Sequence, residues 1–201
     1  DELLAWLRSR KLMHASDGYA LVHAGLLLTA AEVTKNGGDR DLDRADIGAG
    51  TGYFTFRLVP KAKKVIGIDI DENCLEIARE NAEQLGAEVT FNTGDLLRDI
   101  TIDAFPGPVV ILANLPYVPD NYAINEAAKH EPSLALFGGP DGLDPYRVMF
   151  DQLDQFDDPE IIVITESLES QHVNLAGIAK DSGFVPGSSI GLAQSFTRIT
   201  V

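Results

Sequence analysis

The chain has 201 residues, 45% of them apolar and 23% charged, proportions that suit one globular domain with a substantial core. Thirty-one acidic against sixteen basic side chains give a formal charge of −15, a field that repels phosphate backbones and argues against a nucleic-acid partner. Solubility or a saline habitat explains the same charge. No apolar run approaches the roughly 18 residues of a bilayer span, the longest candidate being broken by His23 and Glu32. The single cysteine, Cys74, excludes an internal disulfide and suits a reducing, cytoplasmic setting.

The chain opens DELLAWLRSRKLM, without Met and without the basic-then-apolar order of a signal peptide, and reads as processed or cut from something longer. Residues 3–12 and 19–34 have helical patterns and form an N-terminal helical segment, 1–40, ahead of an α/β domain, 41–201. From residue 43 short apolar runs alternate with helical patterns, the signature of βαβ units. Strands are expected at 43–47, 64–70, 88–92, 109–113 and 160–165, with helices at 53–58, 71–85, 144–156 and 169–182. In the second helix Leu75, Ile77, Ala78, Ala82 and Leu85 approximate one face, and Gly183 stops the fourth. The end, GSSIGLAQSFTRITV, reads as a closing antiparallel hairpin. The expected architecture is a doubly wound, mostly parallel sheet with an antiparallel edge, whose ligand lies across the carboxyl ends of the strands.

Four strand ends in a row carry chemistry. DIGAGTG places Gly48, Gly50 and Gly52 at the first strand-to-helix turn, where a ligand can approach main-chain N–H groups. Such turns also occur without ligands. Asp69 ends the second strand, 17 residues past Gly52, where a carboxylate accepts bonds from ribose hydroxyls. It reads equally as a solvated strand-end group, with Asp71 beside it as a helix cap. The glycine spacing is G-x-G-x-G rather than the dinucleotide pattern G-x-G-x-x-G. Asp95, just past the third strand, can meet an exocyclic amine or serve as a turn residue.

The fourth strand exits into Asn114-Leu115-Pro116-Tyr117. Pro116 fixes its own φ and pushes Leu115 out of the helical region, so the Leu115 carbonyl has no helical partner. An amide oxygen and a main-chain oxygen can then grip one –NH₂ group through both hydrogens, with the Tyr117 ring as a flat neighbour. A plain exit turn is the competing reading.

DIGAGTG, GIDIDENCLEIARENAEQLG, GDLL and ANLPYVP together resemble the class I S-adenosylmethionine-dependent methyltransferases, and among them the amino-methyltransferases. The downstream stretch KHEPSLALFGGPDGLDPYRVM resembles more narrowly the release factor glutamine methyltransferases of the HemK family. Glu131, Pro132, Ala135, Leu136, Gly138, Gly139, Asp141, Gly142, Leu143, Tyr146 and Arg147 fall on its E-P-x-x-A-L, G-G-x-D-G-L and Y-R pattern, and Glu166 and Gln171 stand where that family often has Glu and Gln. The resemblance covers roughly residues 43–184. It implies a Rossmann-like class I methyltransferase fold and S-adenosylmethionine as cofactor. The implied reaction is methylation of the Gly-Gly-Gln glutamine amide of a peptide chain release factor. Asn114 and the Leu115 carbonyl would hold the glutamine –NH₂, with Pro116 shaping the loop and Tyr117 packing against the substrate. Glu131 and Pro132 would add substrate contacts. Asp46, Gly48, Ala49, Gly50, Gly52, Asp69, Ile70, Asp95, Leu96 and Asn114 are the implied cofactor contacts.

Three departures stand out. Leu115 replaces the family's usual Pro, giving Asn-Leu-Pro-Tyr, the form typical of rRNA adenine dimethyltransferases. The Pro-Arg-x-x-Thr-Glu segment before the cofactor turn is replaced by DGYALVHAGLLLTAAEV, and about 40 residues precede the first strand where relatives carry a helical domain. A partner subunit could compensate for that short N-terminus. An adenine amino-methyltransferase acting on RNA or DNA, and a non-catalytic binding module, are the alternative functions. His14, His23, His130 and His172 lack metal-ligand spacing, so no metal is expected.

Overall fold

The computed structural model describes residues 43–58, 64–100, 109–126, 128–156 and 160–198. The two helices expected within residues 3–34 lie outside them. Seven strands form one sheet: β1 (Asp43–Ile47), β2 (Val65–Asp69), β3 (Thr90–Thr93), β4 (Val109–Ala113), β5 (Ile161–Glu166), β6 (Val185–Ile190) and β7 (Ala193–Arg198). Their order is β3-β2-β1-β4-β5-β7-β6. The first five run parallel, and β7 pairs antiparallel with both β5 and β6. The fold is therefore α/β and doubly wound, with the expected antiparallel hairpin. β4, VVILA, is buried along its whole length, as a central strand covered on both faces must be.

The helices are α1 (Thr55–Leu58), α2 (Glu72–Leu85), α3 (Ser133–Leu136), α4 (Asp144–Asp154) and α5 (His172–Asp181). Asp71 caps α2, its carboxylate accepting the Asn73 N–H at 2.9 Å, and Gly86 closes it in the left-handed region. Leu75, Ala78 and Ala82 face the sheet, whereas Ile77 and Leu85, expected on that face, are 47% and 65% exposed. Ile77 falls two residues past Leu75, on the far side of a 3.6-residue period, and Leu85 overhangs the last turn.

Alternation along the strands divides the core. Ile47, Ile68, Ile111 and Val163 point to the side where Tyr146, Met149 and Phe150 of α4 meet Leu175 of α5. Phe150 stacks edge-on against Phe184 and Phe196 at 5.2 and 5.6 Å. On the other face Ala49 and Phe91 pack against α2. Each buried large apolar side chain contributes about 1.5–3 kcal/mol. At the sheet's edge the Phe91 carbonyl accepts the Arg79 guanidinium at 3.3 Å, which blunts an open strand.

The topology fixes the position of the site. Strand order reverses between β1 and β4, and their last paired residues are Ile47 and Ala113. Gly48 and Asn114 follow directly, so the glycine turn and the amide loop leave the sheet side by side at the switch point, where open α/β sheets bind ligands.

Candidate active site

The glycine turn is built from its own backbone. Gly48 and Gly50 have φ of 74° and 54°, left-handed values that favour glycine. Gly48 and Ala49 both donate to the Ile68 carbonyl, at 2.8 and 2.9 Å, fastening the turn to β2. A Cβ on Gly48 would lie 3.5 Å from the Asn114 carbonyl and 3.6 Å from Leu115 Cδ2. The turn thus lies against the amide loop.

Asp69 binds this turn through one oxygen, accepting the Gly50 N–H at 2.7 Å, and accepts the Asp71 N–H through the other at 2.9 Å. A carboxylate offers about four lone-pair sites, so two remain for ligand hydroxyls. Asp46, 2% exposed, accepts the Thr55 hydroxyl at 2.5 Å. Burial pushes its carboxyl up to about 6; the Thr55 bond opposes the shift and the Asp69 charge adds to it. Two acidic groups at the foot of one turn make a local field suited to a cation.

Gly94 donates to the Asp69 carbonyl at 2.9 Å and brings the third strand end alongside. Asp95 pairs with Arg98 at 2.8 Å, and Leu96 takes a φ of 58°, unusual for a branched side chain. The loop is pinned by Gln152, a buried polar residue on α4 that accepts the Leu97 N–H at 2.7 Å and donates to the Asp95 carbonyl at 3.4 Å. Leu96, Thr93, Gly94 and Ile68 line a recess of about 280 Å³. Ile70 is 55% exposed beside Asp69.

The amide loop is held from beneath by distant residues. Gln171, 5% exposed, donates to the carbonyls of Tyr117 and Asp141 at 2.8 and 2.7 Å and accepts the Leu168 N–H at 2.8 Å. A Cβ on Gly138 would collide with the Pro116 carbonyl, and one on Gly142 with the Tyr117 carbonyl and the Gln171 amide. Main-chain bonds of Val118 fasten this crossing: its N–H donates to the Leu136 carbonyl and its carbonyl accepts the Gly138 N–H, both at 2.9 Å. Arg147 forks onto Asp141 and Asp144 at 2.5 and 2.8 Å, and its guanidinium holds the Asp141 carboxyl down to about 2. Among the described residues no helical N–H reaches the Leu115 carbonyl, yet a side chain does: the buried Tyr146 hydroxyl lies 3.1 Å away. Burial, reinforced by the charge of Glu166, pushes the Tyr117 phenol up to about 12, so Tyr117 is a neutral aromatic at working pH.

The structure thus brings Asp46, Gly48, Ala49, Gly50, Gly52 and Asp69 together with Asn114 through Tyr117. Asp95 and Leu96 join them through Gly94. Glu131 and Pro132 sit on the segment leading into α3, which reaches the loop through the Val118–Phe137 pairing. Burial raises the Glu131 carboxyl. Gln152 and Thr55 were not foreseen; a lone glutamine within the buried stripe Tyr146, Met149, Phe150, Leu153 is the signal that could have found the first. Among the described residues no group of three or more His, Cys, Asp or Glu could hold a metal, and no helix is long and apolar enough to cross a membrane.

A family model described as "Methyltransferase domain" matches residues 45–130. The chain is 36% identical over 155 residues to the release factor glutamine methyltransferase of Bacillus anthracis, covering 75% of this chain and 54% of that protein. To that of Rhodospirillum rubrum it is 35% identical over 178 residues, covering 85% and 51%. The chain therefore spans about half the length of these curated relatives. Among solved structures, the Mtq2–Trm112 complex of E. cuniculi, described as responsible for methylation of the eRF1 termination factor, superposes with a TM-score of 0.57 at 18% identity. That match covers 92% of this chain and 94% of the other. The T. thermophilus 16S rRNA N2 G1207 methyltransferase RsmC, in complex with AdoMet and guanosine, gives 0.62 at 15% identity over 88% and 43%.

Sheet order and these structural neighbours together define the class I methyltransferase fold, and the family model places a methyltransferase domain on residues 45–130. In sequence the chain is similar to curated release factor glutamine methyltransferases, at 32–40% identity.

Proposed function

We propose that this chain transfers the methyl group of S-adenosylmethionine to the side-chain amide nitrogen of a glutamine, the one in the Gly-Gly-Gln loop of a peptide chain release factor. The observation that carries the reading is the adjacency of the two strand exits, the Gly48 Cβ position being 3.5 Å from the Asn114 carbonyl. A cofactor seated on the glycine turn and an amino group seated on Asn114 are then neighbours. S-adenosylmethionine supplies an electrophilic methyl carried on a sulfonium. Asp46 and Asp69 complement its positive charge, Asp69 has acceptor capacity for ribose hydroxyls, and Ile70 and Leu96 offer apolar surface for a base.

An amide nitrogen is a weak nucleophile because its lone pair is delocalised. Asn114 and the Leu115 carbonyl each accept one of its N–H groups, which polarises the nitrogen and aligns it for in-line attack; Tyr117 holds the amide plane. The N–C bond forms as the C–S bond breaks, and the nitrogen then loses a proton to solvent. No strong general base is required.

The reading assigns residues 41–201 to the methyltransferase domain and 1–40 to a helical segment ahead of it, in a cytoplasmic protein. A partner subunit belongs to the same proposal, because the E. cuniculi neighbour is itself a two-subunit complex. The test is transfer of label from S-adenosylmethionine to a purified release factor, beside its Gly-Gly-Ala variant and an Asn114→Ala enzyme. Label on the wild-type factor, lost with either substitution and reduced at least a hundredfold by Asn114→Ala, supports the reading. Salt-sensitive transfer to RNA would replace the substrate assignment, and absence of cofactor binding would leave a non-catalytic module.

A further inference from the structure

Beside the amide loop a pair of buried hydroxyls is wedged between two strand ends. Tyr146 is fully buried, and its hydroxyl lies 2.6 Å from the Glu166 carbonyl at the end of β5 and 3.1 Å from the Leu115 carbonyl just beyond β4. Thr165, also buried, donates to the Ala113 carbonyl at 2.5 Å. Carbonyls at the exits of two adjacent parallel strands are therefore bridged by side chains.

A phenol has one proton to donate. Two carbonyls face it, and the shorter contact goes to Glu166, so Leu115 receives the weaker share. The Leu115 oxygen is steered by the hydroxyl without being saturated, because a carbonyl has two lone pairs. An arriving N–H can take it over without leaving the phenol stranded, since Glu166 already accepts its proton. Removing the hydroxyl would free the Leu115 peptide to rotate between Asn114 and Pro116, whose own φ is fixed.

We propose that Tyr146 is a positioning residue, its hydroxyl holding the Leu115 carbonyl at the angle from which it accepts the substrate's amino hydrogen; this rests on the reading of Leu115 as the second acceptor. Tyr146 touches no reacting atom, and its effect passes through one peptide group. Gln171 donates to the Tyr117 carbonyl two residues on, at 2.8 Å, so a buried side-chain donor meets each of these two loop carbonyls.

The test is Tyr146→Phe, which keeps the ring and removes only the hydroxyl, assayed with a release factor as substrate. The kcat is expected to fall about tenfold or more, the size of one misplaced hydrogen bond in the transition state, while KM for the factor and Kd for S-adenosylmethionine stay within twofold. Met149→Ala, a fully buried truncation on the same helix, is the control for loss of packing. It should lower Tm at least as much yet leave kcat of the folded enzyme within twofold. An unchanged kcat in Tyr146→Phe overturns the proposal while leaving the reaction intact, and so does an equal kcat loss in Met149→Ala. A wild-type chain that methylates no glutamine would remove the reading itself, and the proposal with it.

Discussion

The two loops that meet at the switch point are built in opposite ways. The glycine turn of residues 48–52 makes its shape from its own φ angles and from bonds to the adjoining strand. The amide loop of residues 114–118 has no regular secondary structure of its own up to Val118, and is held by side chains 31 to 54 residues away, Tyr146 and Gln171 among them. At its centre, Gly50, the turn has open space for a side chain, whereas the glycines under the amide loop have none. This contrast gives the stretch downstream of the loop a structural task. Gly138, Gly142, Tyr146 and Gln171 lie under the loop and hold its shape.

The same substitution, made in the turn and beneath the amide loop, sharpens the comparison. Gly142→Ala must fit a methyl where the Tyr117 carbonyl and Gln171 amide already stand, at a φ of 77°. Overpacking against backbone and a left-handed alanine together cost at least about 3 kcal/mol, and the Tyr117 peptide would be displaced. Urea unfolding should show the loss, and methyl transfer should fall at least a hundredfold. A Gly142→Ala chain with near-normal stability would mean that the loop relaxes freely and is not rigidly supported.

How far the residues themselves announced this depends on the distance over which each contact acts. Strands Asp43–Ile47 and Val109–Ala113 were legible to the residue because their apolar runs end at a glycine turn and at Asn114-Leu115-Pro116. The Asp71 cap was legible because its bond spans two residues. The helix expected over 53–58 starts only at Thr55, since the turn runs on through Phe54, and that expected over 169–182 opens as a 3-10 turn, where Gln171 bonds back to Leu168. The four-residue helix Ser133–Leu136 is too short for any period to show. The clamps from Gln152 and Gln171 span 54 to 57 residues, and no local pattern encodes such a contact.

The Asp46–Thr55 pair lies beneath the turn and gives the second prediction. Its carboxyl titrates at about 6 in the folded chain against 3.8 when unperturbed. Because the folded value is raised, the folded state binds the extra proton between these two values. Stability is then greatest at and below pH about 4 and falls as pH rises through about 6. The shift corresponds to about 3 kcal/mol at neutral pH, partly offset by the Thr55 bond that a neutral group would keep in weaker form. Asp46→Asn should therefore stabilise the ligand-free chain by about 2 kcal/mol at pH 7.5 and by nearly nothing at pH 4. It should also weaken S-adenosylmethionine binding at least tenfold. Paired urea titrations at the two pH values and calorimetric binding check both halves. A variant that loses stability at pH 7.5 would show that the carboxylate is satisfied where it is and stores no strain for the cofactor to relieve.

The smallest effect on stability is expected at Gly50, and it tests the turn's self-sufficiency most directly. A Cβ there would meet nothing within 4 Å, so Gly50→Ala differs from Gly142→Ala in having space and resembles it in having a left-handed φ, here 54°. Only the backbone term remains, about 1–2 kcal/mol. The Gly50 N–H holds Asp69 at 2.7 Å, and that bond survives if the turn keeps its shape. The empty space above Gly50 is where the reading places the cofactor, so the new methyl should weaken S-adenosylmethionine binding far more than folding. A drop in affinity of tenfold or more, with a stability loss no greater than about 2 kcal/mol, fits a turn shaped by its own backbone for a ligand. Equal affinity in Gly50→Ala would move the cofactor off this turn; a stability loss matching Gly142→Ala would erase the distinction between the two loops.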